Sequence, residues 1–172
     1  MNGELPTLSD GEPPPGIWVP LARWWKPKGT IGFLLIVMHD PEPDDGSPWK
    51  ADIDSFERDE LERWRWQGGG GSDWRFGWGN RPTGDRYSFE GMGASGDEVF
   101  VAPGIAGTNV SAILIRGDTW STECLVEPRC GAFLAGAALH EEIEITALDE
   151  FRRSLHSIPS TTLWDILHSR SH

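Results

Sequence analysis

The stretch Glu98 to Leu148, EVFVAPGIAGTNVSAILIRGDTWSTECLVEPRCGAFLAGAALHEEIEITAL, decides the fold. Val110–Arg116 is apolar on both alternating faces, the pattern of a strand covered on both sides. In Trp120–Glu127, Trp120, Thr122, Cys124 and Val126 fall on one face, and Ser121, Glu123, Leu125 and Glu127 on the other. Ile143, Ile145 and Ala147 alternate with Glu142, Glu144 and Thr146. Glu98–Ala102 and Gly131–Ala137 add two further apolar runs. Arg116-Gly117-Asp118 and Pro128-Arg129 read as tight connections. Short strands at this spacing predict a mainly β fold, a single-domain β-sandwich or small barrel.

Upstream, Ile31–Met38 is apolar on both faces and is a further strand. The Pro- and Asp-rich segment after it, His39–Pro48, ends it as a loop. Trp49–Trp66 is ambiguous: Glu and Arg favour helix, whereas Trp64-Arg65-Trp66 alternates. The reading adopted is a strand near Lys50–Phe56, a turn, and a strand ending at Trp66. Residues 67–97 are expected to form a long Gly/Trp-rich loop or insertion, or a set of very short strands, because such Gly density forbids a helix. The domain is expected to span 17–169. Residues 1–16, acidic and Pro-rich, are expected to be a disordered tail. Ser160–Ser169 predicts a short C-terminal helix that covers a sheet edge or barrel end, capped by Ser160 or Thr162.

The chain carries 27 acidic against 15 basic residues, a net charge of −12. Such a surface repels phosphate backbones and anionic lipids, so neither nucleic acid nor membrane is an expected partner. A protein with a basic surface is the expected one. The only basic patch, Arg23–Lys28, is short and interleaved with Trp24 and Trp25. With no apolar run long enough to span a bilayer and no export signal, a cytoplasmic location is expected. Cys124 and Cys130 are then expected to be free thiols, with Cys124 facing the core.

Ten Trp among 172 residues is the largest compositional anomaly. Trp64, Trp66, Trp74 and Trp78, with Arg75 among them, flank or enter the Gly-rich segment. Flat apolar rings beside glycine suit a ligand-stacking surface, and equally a lid over a small core. The acids of 40–62, with Asp44, Asp45, Asp52 and Asp54 singled out, form an acidic face. Their spacing fails the helix-loop-helix calcium pattern: Asp45 stands where glycine is needed, and Ala51 where a bidentate acid belongs. No His/Cys spacing fits zinc. Gly91–Gly96 matches a dinucleotide-loop spacing but precedes a strand, not the helix such a site requires. No catalytic residues, metal or cofactor are expected.

The leading expectation is thus a non-catalytic binding domain, using the acidic face for a basic protein or the Trp-rich segment for a ligand. One alternative is a carboxylate-dependent hydrolase, with metal assistance or without. Asp52 and Asp54 on one strand face would have Cβ atoms about 7 Å apart, between the two glycosidase separations. The other alternative is a structural or assembly protein.

Overall fold

A computed structural model describes residues 13–26, 29–43, 48–73, 81–90, 94–96 and 99–168. The chain is mainly β, as expected, in three antiparallel sheets. The first is a meander of β1 (Val19–Trp25), β2 (Ile31–His39), β3 (Trp49–Arg58) and β4 (Trp64–Asp73). Next in the chain, β5 (Tyr87–Phe89) and β6 (Ala94–Gly96) pair in succession along one side of β7 (Val99–Ala106). A hairpin of β8 (Ala112–Arg116) and β9 (Ser121–Leu125) starts the third sheet. The chain then returns to the second sheet as β10 (Ala132–Ala138), beside β7. Finally β11 (Ile143–Leu148) and β12 (Ser154–Thr161) extend the third sheet in the order β12-β11-β8-β9. None of the three closes into the small barrel that was one expectation.

One buried cluster draws side chains from all three sheets. The strand β10 packs against β1 and β2 of the first sheet and against β8 and β9 of the third. Its sequence AFLAGAA suits that position, because close approach needs small residues. A Cβ at Gly136 would stand 2.6 Å from the Trp24 ring. On the inner face of the first sheet, Phe33, Leu35, Val37, Ala51 and Ile53 are all buried, at alternate positions along β2 and β3.

Several expectations are corrected. The ambiguous segment is a hairpin, but its second strand begins at Trp64 instead of ending near there. The expected loop 67–97 is accordingly cut back. Residues 67–73 belong to β4, whereas Tyr87–Phe89 and Ala94–Gly96 are very short strands, as the alternative expectation for this segment had it. The helix-favouring charges before Trp64 are spent on the turn. Asp59 accepts hydrogen bonds from the backbone of Leu61 and Arg63 and from both the Arg63 and Arg65 side chains.

At the N-terminus, Pro15 pairs with His39, so the fold takes in part of the expected tail; residues 1–12 lie outside the described ones. The helix α1 (Leu163–His168) is shorter than expected, since Ser160 lies in β12. Thr162 caps it, accepting from the Asp165 backbone N–H at 3.0 Å. Leu163 and Ile166 are buried, and Trp164 packs edge-on against Phe100 of β7. The helix's apolar stripe thus covers the second sheet of its own chain.

Candidate functional site: an acidic and aromatic sheet face

Along β3, Trp49, Ala51 and Ile53 point into the core, so Asp52, Asp54 and Phe56 point outward. Asp52 lies opposite Gly71 of β4, and Asp54 opposite Gly69. The register then slips: Ser55 faces Gly68, but Phe56 faces Trp66. Gln67 is therefore the extra residue of a β-bulge. Gly68, with a φ of 152°, supplies the backbone that the slip requires. In a strictly alternating strand, Trp66 would lie on the face opposite Gly69. The bulge reverses this and brings Trp64 and Trp66 onto the face that holds the two aspartates.

The two groups of candidates singled out in the sequence, aromatic and acidic, thereby meet. The Trp66 indole N–H donates to Asp54 Oδ1 at 2.8 Å, and the ring is 63% exposed. A Cβ at Gly69 would stand 2.4 Å from Asp54 Oδ1 and 3.1 Å from Asp52 Oδ1. The missing side chain is what lets both carboxylates lean over β4. Gly71 is required for a different reason, since a Cβ there would meet the Ala51 carbonyl at 2.4 Å. Trp64 plays another part: its ring covers Gly32 and carries the Arg58 guanidinium 4.8 Å from its centroid. Trp64 is a packing residue, and Trp66 is the exposed ring.

Burial holds the Asp54 carboxyl above the ordinary carboxylate range, against the lowering effect of the Trp66 bond, and the neighbouring Asp52 charge adds to the rise. Asp52 Oδ1 is shielded from solvent and has no hydrogen-bond partner. A shielded carboxylate oxygen without a donor is an unmet acceptor, and a cationic donor satisfies it best. Trp74, Trp78, Arg75, Asp44 and Asp45 lie outside the described residues. Among the described residues no group of three or more His, Cys, Asp or Glu side chains is placed to hold a metal ion. No helix among them is long and apolar enough to cross a membrane.

Other reactive side chains have structural duties. Cys124 and Cys130 are buried free thiols, and burial pushes both up to about 12. Arg81, at the end of the Gly-rich segment, forks onto the carbonyls of Ala106, Gly107, Val110 and Pro128. It clamps the β7–β8 connection to the β9–β10 turn. The sequence reading missed Gly32, Gly69 and Gly71 as parts of the outer face. The signal available was a glycine run close in sequence to two aspartates spaced two apart.

The chain matches no protein-family model, no curated protein and no solved structure.

Proposed function

We propose that this chain is a non-catalytic interaction domain whose first sheet receives a basic side chain of a protein partner on its outer face. The cation sits between the exposed Trp66 ring and the Asp52–Asp54 pair. The observation that carries this reading is Asp52 Oδ1, a shielded acceptor without a donor beside a second carboxylate. An ammonium or guanidinium group supplies the missing donor, favours the ionised form of Asp54, and finds a π-face within reach. The bare backbone of Gly69–Gly71, exposed to solvent, leaves room for a partner chain to approach closely. A net charge of −12 steers basic partners toward the surface. The packing of the first sheet on β10 supports a sandwich description for this half of the domain.

The test is a titration with a lysine- or arginine-rich peptide, with its glutamine counterpart as control. Binding that saturates, weakens with salt and falls at least tenfold in Asp52→Asn and Asp54→Asn is the expected result. Equal affinity for wild type and both variants would refute the site.

One observation favours a second reading, a hydrolase using the same two carboxylates: the upward shift of Asp54, which suits a general acid. Against it stands the Trp66 indole, whose N–H already occupies Asp54 Oδ1.

A further inference from the structure

A cavity of about 170 Å³ lies where the three sheets meet. The end of β1 contributes Trp24 and Lys26, the turn before β9 contributes Trp120, and the end of β10 contributes Ala137. Glu141, just beyond β10, closes the rim. The small side chain of Ala137 leaves the space that the two indoles wall in. A cavity of about 150 Å³ with apolar walls holds a benzene ring, so this one admits a single compact apolar group.

Two polar features make it a built site. Glu141 is held in place, since its Oε1 accepts from the Trp120 indole N–H at 2.6 Å. Room for that pair comes from Gly117, where a Cβ would stand 2.4 Å from Glu141 Oε1 and 2.5 Å from Trp120 Nε1. Fixing one carboxylate oxygen leaves Oε2 to receive a donor. Lys26 supplies the opposite charge at the same cavity.

A rim with one positive and one negative group disfavours a simple anion or a simple cation, because each gains one attraction and meets one repulsion. It matches a molecule carrying both charges. We infer that this cavity binds a free α-amino acid with a compact apolar side chain. Its carboxylate faces Lys26, its ammonium faces Glu141, and its side chain lies between the two indoles. This site is separate from the outer face of the first sheet, since Trp24 points inward onto Gly136.

The experiment titrates the full chain, with labelled tryptophan indole nitrogens, against L-leucine and L-phenylalanine. The comparison ligands are 4-methylpentanoate, which lacks the ammonium, 3-methylbutylamine, which lacks the carboxylate, and toluene, which lacks both. The expected result is a saturating shift of the Trp120 indole proton, which is bonded to Glu141, with an amino acid bound at least tenfold tighter than either singly charged analogue. Lys26→Met should bring the amino acid and the amine to equal affinity. Glu141→Gln should bring the amino acid and the acid to equal affinity. Both residues lie at the rim, so a wild-type melting temperature is expected of each variant. No saturating shift at Trp120 with any ligand, toluene binding as well as the amino acids, or discrimination unchanged in both variants would each overturn the inference.

Discussion

Three consecutive glycines of β4 should respond to alanine in three different ways, and the contrast tests the geometry of the outer face. At Gly70 a Cβ would meet nothing within 4 Å. Gly70→Ala should therefore stabilise the protein by about 0.5–1 kcal/mol, through lower entropy of the unfolded chain. At Gly71 the same methyl would lie 2.4 Å from the Ala51 carbonyl and 3.2 Å from the Asp52 backbone. Neither neighbour can rotate away, so β4 must shift off β3. Overpacking of this kind costs about 1–3 kcal/mol, leaving a net loss of about 1–2 kcal/mol after the entropic gain. At Gly69 the methyl meets the tips of Asp54 and Asp52, which can swing aside. Stability should change little there, while the Trp66–Asp54 hydrogen bond is lost. Urea unfolding with equal m-values gives the stabilities, and the Trp66 indole proton reports the hydrogen bond. For a chain of this size, Gly70→Ala and Gly71→Ala should melt roughly 5 °C apart, on opposite sides of wild type. If both shift in the same direction, β4 is not paired with β3 in this register and the bulge argument fails.

Other consequences follow from single residues. Arg81→Lys should cost about 2–3 kcal/mol in urea unfolding, because a single ammonium cannot reach four carbonyls that a planar fork spans; a change under about 0.5 kcal/mol would remove the clamp. Both thiols should stay unlabelled by a disulfide reagent at pH 8 and react only after denaturation, since burial pushes each up to about 12; prompt labelling of the native protein would contradict the core placement. Hydrogen bonds from the Arg63 backbone and the Arg65 side chain hold the Asp59 carboxyl well below its ordinary 3.8. Its stabilising effect is present above 3.8 and is lost as pH falls through the folded value. Asp59→Asn should thus lower the melting temperature at pH 7, and the gap to wild type should narrow in strong acid; a gap independent of pH would rule out the ionised turn.

Local pattern determined the strands whose side chains alternate or are covered on both faces. Ile31–Met38, Ala112–Arg116, Ser121–Leu125 and Ile143–Leu148 were legible because period-two burial is written into residue types. The inward set of Cys124 and Val126 could be read the same way. Glycine has no side chain, so Gly68–Gly71 carries no period, and the segment read as loop although β3 pairs with it as a strand. Only a partner strand decides that question, because backbone hydrogen bonding is blind to the missing side chains. The same holds for β12, whose residues are mostly exposed at an edge and are ordered by β11.

The candidate site shows the division most clearly. Trp66, Asp52 and Asp54 were each singled out from the chain, but as two separate features. One extra residue, Gln67, slips the register and turns the indole onto the acidic face. The cavity beneath Trp24 was not legible at all, since it draws on segments that only the docking of three sheets brings together. Sequence determined which residues have the chemistry; the pairing of backbone groups decided which of them share a surface.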